Sequence, residues 1–201
     1  MNKKLLKSIV CIASGVGVAT SIPFTVSSCG ESSEKINALP ESVYKINQST
    51  HDLEGFKPGI SLSIYDGKCD TMLIPDEVTS ITAGAFRDNV VPPFINKIVF
   101  SKNSKCNTIN GSAFKNCSSI TSVTLSGALY VHPSIFEDCS NLSSITWNAC
   151  VVTSVASSSF ENISQSGTIK VTNPVNGFNS EALLRYLKAN AGLPNNWAAS
   201  N

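Results

Sequence analysis

Seven cysteines and two histidines are the side chains of this 201-residue sequence best suited to chemistry, as nucleophiles or metal ligands. Cys69, Cys106, Cys117, Cys139 and Cys150 lie beyond the N-terminal segment, and an odd set leaves at least one thiol unpaired within that region. No Cys-x-x-Cys pair occurs, and His51 and His132 stand far from each other in the chain. That spacing does not make a zinc site, and no metal or other cofactor is expected. No nucleophile elbow, phosphate loop, dinucleotide fingerprint or HExxH run is present. Asp88, Glu137, Asp138 and Glu161 are scattered rather than lined up as a glycosidase would need. The sequence offers no catalytic constellation, so neither an enzyme activity nor a small-molecule substrate is expected.

Cys29 has a different context. Lys3, Lys4 and Lys7 precede an uncharged apolar stretch from Ile9 to Phe24. That stretch is too short for a comfortable membrane span, which needs about 20 apolar residues. Val26-Ser27-Ser28-Cys29 follows, and the order of these parts resembles a bacterial lipobox. The resemblance implies that residues 1–28 are a lipoprotein signal peptide. Cys29 would then be acylated and become the first residue of the mature chain. An ordinary signal peptide that happens to end beside a cysteine is the alternative. Two acyl chains give stable anchoring, at about 0.8 kcal/mol per buried methylene. The expected address is the cell surface, with the membrane engaged through the lipid on Cys29.

Charge and composition narrow the partners. Fifteen basic residues against fourteen acidic ones give a net charge of +1, so nucleic acid is not expected as a partner. Only 14% of residues are charged while 42% are hydrophobic, which argues against disorder and against a coiled coil.

Residues 29–42 are polar, contain Pro40 and read as a flexible tether. Residues 43–73 read as an N-terminal β cap. There Ile60–Tyr65 alternates like a strand, Asp66-Gly67 offers a hairpin turn, and Met72-Leu73-Ile74 follows.

The stretch 74–172 is periodic. An aliphatic residue stands five positions before each of Phe86, Phe114, Phe136 and Phe160. After each Phe comes a strand-like pair, Ile98/Phe100, Val123/Leu125, Ile145/Trp147 and Ile169/Val171. Self-similarity of this kind predicts a solenoid whose turns bury their apolar faces against one another, with the phenylalanines as an internal ladder. Cys117 and Cys139, each three residues after a repeat Phe, then stack in adjacent turns. They are either small buried hydrophobes or a disulfide. Residues 173–201 read as a C-terminal helical cap. Asn179 or Ser180 serves as N-cap, Leu183, Leu184 and Leu187 share one face, and Gly192 and Pro194 stop the helix. Laid over the last repeat, that helix would shield its open strand edge.

The strings Ile109–Leu125 and Phe136–Trp147 resemble BspA-type leucine-rich repeats, with Ala-Phe, then Cys or Asn, then a Leu-x-x-Ile-x-Leu strand. The resemblance implies a mainly β leucine-rich-repeat solenoid of about four repeats between a β cap and a helical cap. It further implies adhesion to, or interaction with, an extracellular or host protein. Alternation within the strands points Ser122, Thr124, Ser144 and Thr146 outward, with Lys97 and Lys170 on the flanking repeats. These six are the candidate binding residues, although each taken alone could be a plain solvated strand position. The rival reading is a structural or antigenic coat lipoprotein without a specific ligand.

Overall fold

The computed structural model describes residues 37–200. The expected signal peptide, Cys29 and most of the expected tether fall outside the described residues.

At the N-terminal end β1 (Tyr44–Ile46) and β2 (Asp52–Phe56) form an antiparallel hairpin. From there each turn of the chain adds two strands, one to each of two parallel ladders. The short ladder joins β2, β4 (Ser80–Ile81), β6 (Thr108–Ile109) and the later halves of β7 (Ser122–Val131) and β8 (Ser144–Val155). The long ladder joins β3 (Thr71–Ile74), β5 (Lys97–Phe100), the first halves of β7 and β8, β9 (Ser166–Thr172) and β10 (Asn196–Ser200). Five turns result, and β2 with β3 continues both ladders into the segment expected as a cap.

The apolar alternation builds the core directly. Met72, Ile98, Val123, Ile145 and Ile169 are register neighbours on the inner side of the long ladder, and all are buried. Leu53, Ile81, Ile109, Val131 and Val155 do the same on the short ladder. Each such burial is worth roughly 1.5–3 kcal/mol.

Between the ladders stands the phenylalanine stack. Phe86, Phe114, Phe136 and Phe160 are fully buried, with successive ring centroids 5.3, 5.3 and 5.8 Å apart and planes within 20°. Phe56 extends the stack edge-on to Phe86 at 5.1 Å. The corner that presents each ring uses two left-handed residues. Gly84, Ser112, Ser134 and Ser158 lie two before the Phe, and Asp88, Asn116, Asp138 and Asn162 two after it, all with φ between 56° and 66°. Short polar side chains tolerate that conformation better than branched ones. It aligns the corner amides, so Phe86, Phe114 and Phe136 donate to Ala113, Ile135 and Ser159 carbonyls of the next turn at 2.8–3.0 Å. The corners thus form a third hydrogen-bond ladder.

Cys117 and Cys139 occupy the inside of this corner as free, buried thiols rather than a disulfide. The Cys117 Sγ–H donates to the Phe86 carbonyl at 3.0 Å, and that of Cys139 to Phe114 at 3.1 Å.

Two expectations for residues 60–67 are corrected. Ile60–Tyr65 is not a strand, because Leu62–Tyr65 forms a 3-10 turn with Ile60 and Ile64 exposed. Asp66-Gly67 makes no hairpin either, since β3 pairs in parallel with β5. Alternation needs a partner edge to become a strand, and β5 is already paired with β3 and β7.

The C-terminal helix α1 (Ser180–Asn190) is present, and Asn179 Oδ1 accepts from the Ala182 amide at 3.0 Å. Leu183, Leu184 and Leu187 are buried, and Gly192 follows the helix at φ 76°. Phe160 N–H donates to the Ala191 carbonyl at 2.9 Å, so the helix end takes the place of a next corner. The helix does not shield the last strand edge. That edge, on β9, is covered by β10, held by buried Trp197 whose Nε1 donates to the Ser164 carbonyl at 2.8 Å. Asn-Trp-Ala-Ala-Ser has no β-branched residue and only Trp197 favours a strand, so propensity gave little sign of it.

Candidate binding face

The outer side of the long ladder carries two straight rows. Lys97, Ser122, Ser144, Thr168 and Ala198 are register neighbours in one. Leu73, Val99, Thr124, Thr146, Lys170 and Ser200 are neighbours in the other. All six residues singled out from the sequence therefore share one face. Neighbouring strands are about 4.8 Å apart, so the hydroxyls recur at that interval.

Ser122, Thr124, Ser144 and Thr146 are half-buried, while Lys97, Thr168 and Lys170 are exposed. Thr168 was missed in sequence, although it lies two positions before Lys170 and shares its outward parity. The hydroxyls of these four half-buried residues and of Thr168 make no side-chain hydrogen bond within the described residues. Their surroundings differ in this respect. At the strand ends Asn148 accepts from Thr172 Oγ1 and Asn173 Nδ2 at 3.2 and 2.8 Å and donates to Ser126 Oγ at 3.3 Å. Thr121 Oγ1 donates to the Asn96 carbonyl. These rim side chains are satisfied, and the centre keeps its hydrogen-bonding capacity.

Charge on the face is sparse. Lys97 Nζ pairs with Asp70 Oδ2 at 2.9 Å and, through that hydrogen bond, holds the Asp70 carboxyl below its ordinary range. With side chains 48% and 40% exposed, the pair adds little to stability. Lys170 has no carboxylate within ion-pair distance among the described residues. The face is thus neutral through the middle with one free cation towards its C-terminal end.

Elsewhere the titratable groups serve the fold. Lys115 Nζ bonds Glu137 Oε1 at 2.7 Å and approaches Asp138 Oδ2 at 3.7 Å, tying two corners together. Burial pushes the Cys106 and Cys150 thiols up to about 12, so both are protonated at neutral pH. His51 belongs to the first turn and His132 to the fourth, too far apart along the stack to act on one substrate. A shallow cleft of about 370 Å³ lies beside the irregular 87–97 loop, lined by Asn89, Val91, Pro93, Ser118 and Ser119. Among the described residues no group of three His, Cys, Asp or Glu side chains could hold a metal ion.

The family model for the BspA type leucine rich repeat region matches residues 63–186, with six copies. The chain belongs to the BspA-type leucine-rich repeat family. The match takes in β3 through most of α1, so the repeat signature spans the ladders that carry the candidate face. Two solved structures are similar to this BspA-type chain. The pneumococcal vaccine antigen PcpA is 20% identical over 54% of this chain and 27% of its own, with a TM-score of 0.39. A leucine rich cell surface protein from Faecalibacterium prausnitzii A2-165 is 17% identical over 70% of this chain and 51% of its own, with a TM-score of 0.34. The chain therefore spans about a quarter and about half the length of these two proteins. No curated protein matches it.

Proposed function

We propose that this protein is a lipid-anchored bacterial surface protein that binds an extracellular or host protein through the outer side of its long ladder. The observation that carries the reading is the set of unpartnered hydroxyls on Ser122, Thr124, Ser144, Thr146 and Thr168, aligned in register on a rigid parallel sheet. A rigid array loses little entropy on binding, and many modest hydrogen bonds can then sum to a specific contact. Leucine-rich repeats generally mediate protein–protein interaction, which fits the same reading.

Anchoring rests on the N-terminal pattern ending at Cys29. Among the described residues no helix is long and apolar enough to cross a membrane. Metabolic labelling with a radioactive fatty acid should mark the protein, and Cys29→Ser should abolish both the label and its partition into detergent. A labelled Cys29→Ser variant would refute the anchor. For the face, immobilised protein should show saturable binding to host-cell surfaces or matrix proteins. Absence of saturable binding across such a panel would favour the coat reading instead.

A further inference from the structure

The long ladder ends differently at its two sides. Beyond β3, Asn37–Leu39 covers the start of the edge through a single bridge: Thr71 N–H donates to the Asn37 carbonyl at 3.3 Å and Leu39 N–H to the Thr71 carbonyl at 2.9 Å. Beyond β10, no described strand pairs. Which groups that edge presents follows from the alternation of a parallel ladder. Thr168 N–H donates to the Ser143 carbonyl of β8, so even-numbered residues of β9 bond towards β8 and odd-numbered ones towards β10. In the register of β9 with β10, Asn196, Ala198 and Ser200 therefore bond inward. Ser180 Oγ confirms this by bridging the pair, accepting from Val171 N–H at 3.0 Å and donating to the Ser200 carbonyl at 2.9 Å. The backbone groups of Trp197 and Ala199 face off the sheet. Trp197 N–H turns back to the Pro194 carbonyl at 3.3 Å. That leaves the Trp197 carbonyl and both groups of Ala199 directed outward.

Open edges are usually blunted by lysine, proline, a bulge or a covering element. Asn196–Ser200 contains no charged residue and no proline, and its register with β9 is unbroken. We propose that β10 is the seam of a two-fold dimer, in which the long ladders of two copies join antiparallel into one continuous sheet. Asn37–Leu39, bridged to Thr71, stands in the way of head-to-tail addition along this ladder, whereas β10 can meet a second β10. A two-fold axis at Ala198 sets Trp197 opposite Ala199 of the second copy. The Ala199 amides then donate to the Trp197 carbonyls across the seam. Asn196 faces Ser200, and the two Ala198 residues face each other as a pair without hydrogen bonds, about 4.5 Å apart at Cα. Charge allows it: the row of Lys170 and Ser200 continues into Asn196 and Ser166 of the second copy, so no like charges meet.

Sedimentation of the whole chain over a range of micromolar concentrations tests this. The expected result is a concentration-dependent doubling of mass. Ala198→Lys places two cations opposite each other and should weaken the dimer at least tenfold, leaving circular dichroism and the monomer's melting temperature unchanged. Ala198→Cys should form a covalent dimer on mild oxidation, while Thr146→Cys, in the middle of the face, should not. A monomer at every concentration would overturn the proposal, as would a dimer indifferent to Ala198→Lys. Neither outcome bears on host-protein binding, which is read from a different assay.

Discussion

Phe114 and Phe136 each lie between two ring neighbours, so truncating either removes two stacking contacts and leaves a cavity. Phe136→Ala is expected to cost about 3–5 kcal/mol in urea unfolding, and Phe136→Leu clearly less. The cysteine beside each ring makes a sharper test. If the Cys139 thiol satisfies the Phe114 carbonyl, Cys139→Ser keeps a donor in place. Cys139→Val fits the apolar corner but leaves that carbonyl unpaired, a loss of roughly 1–3 kcal/mol. A Val variant as stable as wild type would reduce the thiol to a space-filler. Acid should also destabilise the fold. Hydrogen bonds from Lys115, Ser80 and Lys97 hold Glu137, Asp52 and Asp70 below their ordinary values. Their contribution is present above about pH 4 and is lost as pH falls through the lower folded values. Burial raises Glu41 and opposes this, so the melting temperature should fall modestly below pH 4. A melting temperature that rises there would contradict the assignment. At this scale the phenylalanines and the thiols were legible from their offsets. The left-handed pairs were not, because serine and asparagine are so common here that their placement two before and two after each Phe does not stand out.

Elements turn on a few backbone positions. Gly127 and Ala149 occupy the bends of β7 and β8, both at positive φ, 72° and 47°. Gly127→Ala should destabilise and Ala149→Gly stabilise, each by about 1 kcal/mol, measurable as opposite shifts of the urea midpoint. Gly167 decides the fate of β10. A Cβ there would lie 2.4 Å from the Ser143 carbonyl oxygen and 2.7 Å from the Trp197 ring. Gly167→Ala should therefore speed hydrogen exchange across 196–200 while leaving the central turns protected; uniform protection would show that β10 does not depend on this fit. Strands with neighbours on both sides were readable, since burial on one face imposes alternation on the sequence. Ile60–Tyr65 and β10 were misread for converse reasons. The first alternates without an edge to join, and the second is held by one tryptophan and a ladder rather than by its own propensity.

Across the described residues, five stacked turns make a sheet whose inner side is apolar and whose outer side leaves the hydroxyls of Ser122, Thr124, Ser144, Thr146 and Thr168 free. The fold was written in the period of the sequence. The face could be named from parity alone, but its free hydroxyls emerged only when the rim residues were seen to bond one another. The most direct measurement compares saturable binding of the wild-type chain with that of Thr124→Arg/Thr146→Arg to the same host-cell or matrix surface. Both substitutions sit on the outer side of the sheet, so folding should be retained by circular dichroism. The account predicts saturable binding that is lost in the double variant. Undiminished binding by a folded double variant would contradict it and move the contact to the 87–97 loop.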